Sequence, residues 1–274
     1  MAVWCVMIGT IVAGFFILQA TSASSPSASA IGSGSAATEA EWNSRSESAS
    51  MVHIPGGAFL MGSPDGVGWD NEHPQHPVTV AAFEMDTTEV TVAAYSACVQ
   101  SGQCTAPSTD QSPDHLVGAP RLCNFGKGDK SNHPINCVGW GQAATYCNAH
   151  GQRLPTEEEW EYAARGGQEE REYSWGSAPP DFQLCWSGIS KRNGTCAVGN
   201  FARGAFGLAD MSGNVWEWTA SGHSKDYSKK RVDLERTYRG GSFAETRSSE
   251  VRAAARYGFK PQDQGEYLGF RCVR

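Results

Sequence analysis

The sequence has no run of Lys or Arg beyond the three residues 229–231, and its formal net charge is −7 over 274 residues. That excludes a nucleic-acid protein working by phosphate neutralisation. Charged residues are only 19 % and aromatics reach 10 %, which excludes a disordered polyelectrolyte. No internal repeat and no heptad pattern is present, so solenoids and coiled coils are excluded. No stretch beyond residue 20 is apolar enough to span a membrane. There is no CxxC pair and the seven His are scattered, which argues against a Cys/His zinc site. His73 and His76 have no third ligand in view and read as surface residues.

Two features are in excess. Gly makes up 31 of 274 residues, about 11 % against a usual ~7 %, which points to many turns rather than long helices. Cys numbers nine, an odd count.

The N-terminus accounts for the odd one. Residues 2–20 are almost wholly apolar and small residues follow, as in a secretory signal ending at residue 23, with residue 30 as a second cleavage position. No Lys or Arg occurs before Arg45, so an uncleaved anchor is the alternative. Cys5 leaves with a cleaved signal. Residues 24–50 are rich in Ser, Ala and Gly and read as a flexible linker. The folded domain is then 51–274. The expected location is outside the cytoplasm: secreted, periplasmic or in the cell envelope.

Eight Cys remain, and an even number behind an export signal suggests a disulfide framework. Eight allow 105 pairings, so spacing alone does not choose. Local closeness favours Cys98–Cys104, Cys123–Cys137 and Cys185–Cys196, with Cys147 and Cys272 left over.

Local patterns give a coarse order. Residues 51–61 (MVHIPGGAFLM) alternate loosely and break at Gly56-Gly57 as a hairpin does. Residues 78–83 are a short strand candidate. Residues 88–100 have apolar spacing near a helical period with Gly102 as a stop, and 141–150 form a helix ending before Gly151. Residues 105–136 read as a long irregular loop pinned by Cys123–Cys137. In RLPTEEEWEYAARGG, Thr156 and Glu159 form a capping box, and Trp160, Ala163 and Ala164 make one apolar face. Further strand candidates are 197–198, 238–243 and 268–273. The fold class is α+β: one irregular, loop-rich, disulfide-pinned domain.

Six segments carry a resemblance: HIPGGAFLMGS (53–63), FEMDTTEVTVAAYSACV (83–99), HPINCVGWGQAATYCNAHGQRLPTEEEWEYAARGG (133–167), FGLADMSGNVWEWTA (206–220), RGGSF (239–243) and LGFRCVR (268–274). In this order they are similar to the formylglycine-generating enzyme family, the sulfatase-modifying factors, over essentially all of 51–274. The resemblance implies a single C-type-lectin-related domain. It also implies a bond between the Cys before the RLPTE helix and the Cys of GFRC, here Cys147 and Cys272.

The family's enzymes oxidise the Cys of a sulfatase CxPxR motif to formylglycine with copper and oxygen. Their copper is held by two thiolates beyond the GGS motif, soft ligands suited to Cu(I). This sequence departs there: the matching positions are Glu245 and about Glu250. Carboxylates are hard oxygen ligands, so copper is not expected, oxidase chemistry is expected to be lost, and no catalytic residue is assigned. Two carboxylates could form an acid/base pair, but two surface Glu are more simply solvated.

The resemblance implies calcium held by the side chains of Asp210 and Glu217 and the carbonyls of Gly213 and Val215, a hard-oxygen set on a Gly-bearing loop. Trp216 and Ser242 match residues lining the family's peptide groove, and Glu245 joins them as a groove candidate. The expected function is a secreted, calcium-stabilised, monomeric domain binding a peptide, protein or glycan. The alternative is a formylglycine-generating oxidase or a divergent metal-dependent oxidase.

Overall fold

The computed structural model describes residues 50–107, 122–230 and 232–274. The signal-like segment, nearly all of the linker, and residues 108–121 of the long loop lie outside these.

The N-terminal part is a broken ribbon. Strand β1 (Met51–Ile54) pairs antiparallel with β4 (Phe83–Asp86), and β2 (Gly57–Met61) with β3 (His76–Val80). The register is continuous across both pairs, with Ile54 opposite Phe83 and Gly57 opposite Val80. Residues 51–61 are therefore one arm of a longer hairpin, not a hairpin in themselves. The expected strand at 78–83 is interrupted at the same level, at Ala81-Ala82. The cause is a close approach: a Cβ at Gly56 would stand 2.8 Å from both the Val80 carbonyl and the Ala82 amide.

Three helices follow. In α1 (Val92–Gln100) the Thr91 hydroxyl accepts from the Ala94 amide, satisfying one of the helix's unpaired donors. Helix α2 (Trp140–Ala149) begins where the Gln142 side chain accepts from the Gly139 amide at 3.1 Å. Helix α3 (Glu157–Ala164) carries the expected capping box. Thr156 Oγ1 accepts from the Glu159 amide at 3.2 Å, and Glu159 Oε2 accepts from the Thr156 amide at 2.8 Å.

The first turn of α3 does more than complement a dipole. Glu157 and Glu161 are fully buried. Glu157 meets Arg239 at 2.7 Å and Arg256 at 2.5 Å; Glu161 meets Arg165 at 2.7 Å and Arg239 at 2.8 Å. Burial pushes the Glu161 carboxyl up, but Arg239 and Arg165 outweigh it and hold it below the ordinary value.

The C-terminal half holds a four-stranded sheet in the order β7 (Arg256–Phe259), β6 (Val232–Arg239), β5 (Trp216–His223), β8 (Leu268–Gly269). Only the β5–β8 pair is parallel. Strands β5 and β7 were not expected. The reading of 238–243 as a strand fails after Arg239, where the chain turns at Gly240 (φ 103°) and Gly241 (φ 77°). The pair Ala197-Val198 is coil, since the Val198 amide is spent on the Asn132 carbonyl of another loop.

One buried cluster packs α1 and α2 against this sheet through Tyr95, Tyr146, Trp218 and Phe270. A second joins the ribbon to α3 through Met61, Met85, Trp160 and Val273. Four disulfides tie the coil: Cys98–Cys104, Cys123–Cys137, Cys147–Cys272 and Cys185–Cys196. No helix among the described residues is long and apolar enough to cross a membrane.

Candidate functional site

The sheet builds a pocket at one end of β5, β6 and β7. Trp216 opens β5. Tyr238 of β6 stands directly opposite Tyr257 of β7 in the ladder, their rings stacked at 6.0 Å. Trp216 meets both edge to face, at 5.1 and 5.4 Å. Tyr267, just before β8, completes the aromatic wall of an open cavity of about 410 Å³.

The double-Gly turn after β6 brings carboxylates into it. At Gly241 a Cβ would stand 2.7 Å from Val251 and 2.8 Å from the Glu250 carbonyl, so the turn requires Gly. Ser242 is fully buried and donates to Glu245 Oε1 at 3.0 Å. Trp216 Nε1 donates to the same oxygen at 2.8 Å. A 3-10 turn over Ser248–Val251 returns Glu250 to the pocket beside Glu245. Arg247, which also lines the pocket, pairs with Glu250.

The structure thus brings Trp216, Ser242 and Glu245 together. It corrects the expectation of two solvated surface Glu: Glu250 is buried, Glu245 is half-buried, and both line the pocket. Burial, and then the neighbouring Glu250 carboxyl, push Glu245 up to about 7 against the pull of Trp216 and Ser242. Burial also pushes Glu250 up, but Arg247 and Glu245 outweigh it and leave Glu250 below its ordinary value. The pair divides its proton unevenly, Glu245 holding it.

A second group of carboxylates lies under the 206–220 loop. Its backbone is left-handed at Asp210 (φ 57°), Gly213 (φ 82°) and Asn214 (φ 61°). Gly213 has no room for a side chain, since a Cβ would stand 2.6 Å from the Cys185 carbonyl. From β5 Glu217 points inward and is fully buried. Its oxygens accept from Arg271 at 2.7 and 2.8 Å and from Trp160 Nε1 at 2.8 Å. Asp210 Oδ2 accepts from the Gly199 amide at 2.6 Å.

Sequence reasoning missed a third member. Glu89, between β4 and α1, is fully buried and neither of its carboxylate oxygens has a hydrogen-bond partner. Burial first, and then Asp210 and Glu217, push it well above the carboxylate range, with Arg271 opposing. Asp210 is also raised, chiefly by burial. The available signal was a lone carboxylate between apolar residues in TTEVTV. Among the described residues, no three His, Cys, Asp or Glu side chains converge closely enough to hold a metal ion by themselves. The expected ligand set uses two side chains and two carbonyls, and Glu89 supplies the orphaned acceptor beside it.

All eight cysteines among the described residues are spent in disulfides. None is a thiol at the pocket.

The model of the sulfatase-modifying factor enzyme 1-like domain matches residues 36–274, and the chain belongs to that family. Its relatives include proteins named for formylglycine generation and for the lack of it. The Streptomyces coelicolor formylglycine-generating enzyme is 33 % identical over 277 residues, covering 81 % of this chain and 88 % of the relative. The mouse inactive C-alpha-formylglycine-generating enzyme 2 is 32 % identical over 266 residues, covering 81 % and 85 %. Among solved structures, PvdO from Pseudomonas aeruginosa superposes with a TM-score of 0.68 at 28 % identity, covering 82 % of this chain and 93 % of that one.

Proposed function

We propose that this family member has given up copper–thiolate oxidation and acts as an exported binding domain for a peptide, protein or glycan, its pocket serving as the groove. One observation carries the reading. Where the resemblance puts a copper-binding thiolate, Glu245 is fastened to Trp216 and Ser242, and every described cysteine is bridged. A hard carboxylate is a poor holder of Cu(I). The four bridges and the apolar N-terminal segment support export.

Calcium belongs to the same reading. Asp210 and Glu217 would hold it with the carbonyls of Gly213 and Val215. Three buried carboxylates facing one guanidinium leave a surplus of negative charge, which a divalent cation neutralises. The ion's work there is to hold the loop that leads into Trp216.

The test is incubation of the purified chain with Cu(I), oxygen and a CxPxR peptide, with mass spectrometry for the aldehyde. No product is expected. Formation of formylglycine overturns the proposal.

A further inference from the structure

The pocket has a chemistry of its own beyond the loss of thiolates. Its walls are four aromatic side chains, and its floor is two carboxyl groups. Among the described residues one guanidinium lines it, that of Arg247, whose side chain is 60 % exposed and lies over the Trp69 ring at 5.1 Å. That guanidinium pairs with Glu250, while Glu245 takes its hydrogen bonds from the neutral donors Trp216 and Ser242.

Such a cavity discriminates among ligands. An anion would meet the carboxylates. A purely apolar group would strip water from Glu245 and return nothing. A metal ion would need more hard ligands than the pair, and no third Asp, Glu, His or Cys joins them among the described residues. An alkylammonium satisfies both surfaces at once, the charge on the carboxylate and the methylenes and cationic head on the rings.

We infer that the pocket formed by Trp216, Tyr238, Tyr257, Tyr267, Glu245 and Glu250 receives the ammonium group of a lysine side chain presented by a peptide. The inference rests on the binding-domain reading and names its ligand class. A cavity of about 410 Å³ falls in the range of small-ligand sites and accepts an extended side chain rather than a folded element.

The hydrogen-bond geometry gives the site a pH dependence. Glu245 is faced by Glu250 and Arg247 from its own segment, by Trp216 from β5, and by Tyr238 and Tyr257 from β6 and β7. With its proton lost near pH 7, a cation favours the ionised form and expels that proton on binding. Affinity therefore rises from pH 5 to pH 8 and levels above the free-state value.

The test is calorimetric titration of the full chain with acetyl-Gly-Lys-Gly-amide and with the same peptide acetylated on the lysine Nε. The unmodified peptide is expected to bind at least tenfold more tightly than the acetylated one, and about tenfold more tightly at pH 8 than at pH 5. Glu245→Gln keeps an acceptor for Trp216 and Ser242, and is expected to lose both preferences. Equal binding of the two peptides, or no binding of either at millimolar concentration, overturns the inference on the unaltered protein, whatever the variant does. Binding of a neutral oligosaccharide in place of the lysine peptide overturns it too, while leaving the wider reading intact. Only aldehyde formation with copper sinks that wider reading, so the two failures are distinct.

Discussion

Two clusters of buried carboxylates touch helix α3 and are balanced in opposite ways. At the start of the helix Glu157 and Glu161 meet three guanidiniums, Arg165, Arg239 and Arg256. On the side where Trp160 donates to Glu217, three carboxylates (Glu89, Asp210 and Glu217) meet Arg271 alone. The first cluster is closed: its charges are compensated by residues of the fold, and it fixes how the ribbon, α3 and the sheet fit together. The second is in deficit and needs something from outside, either protons or a cation. The pocket carboxyls Glu245 and Glu250, with Arg247 beside them, are likewise two acids to one guanidinium among the described residues.

Three substitutions sharpen this contrast. The largest effect is expected from Glu157→Ala, which takes the carboxylate from Arg256 and leaves Arg239 with Glu161 alone. Removing one side of a buried pair costs about 3–5 kcal/mol, so urea denaturation should show a loss of that size; a loss below about 1 kcal/mol would mean the cluster is not closed. Next is Glu89→Gln. In EDTA it should raise the melting temperature, because burial holds the Glu89 carboxyl protonated and folding no longer has to take up that proton. In calcium it should blunt the rise seen for the unaltered chain, which a hundredfold excess over Kd sets at about 2.7 kcal/mol. No calcium effect on the unaltered chain would leave protons as the compensating charge. The smallest is Thr156→Ala, which removes the cap of α3 at about 1 kcal/mol while leaving both clusters in place. A larger loss by differential scanning calorimetry would show that the helix start and the Glu157 cluster are coupled.

How legible each part was in the sequence follows from how local its causes are. Helix α3 was readable because its cap, its apolar face and its stop all lie within fifteen residues. The Cys98–Cys104, Cys123–Cys137 and Cys185–Cys196 bridges were suggested by closeness alone. Strand β5 was not readable: its Trp216-Glu217-Trp218 run is buried on both sides, so no alternation between apolar and polar marks it. The meeting of Glu245 and Glu250 depends on a 3-10 turn that leaves no periodic trace. The balance of charge at Glu89 depends on the turn after β4, the 206–220 loop and the segment after β8, which meet only in three dimensions.

The segment after β5's parallel partner sets the order in which the molecule can be made. Leu268–Gly269 completes the sheet, Arg271 reaches Glu217, Cys272 bonds Cys147 across a separation of 125 residues, and Val273 bridges both Met85 and Arg153. Arg274 reaches Glu84, 190 residues upstream. Synthesis delivers this segment after every element it completes. Until Cys272 emerges, Cys147 has no native partner, the ribbon and α2 have no common seam, and Glu217 has no guanidinium. Residues 268–274 are thus the fastener that turns a string of stapled loops into one body.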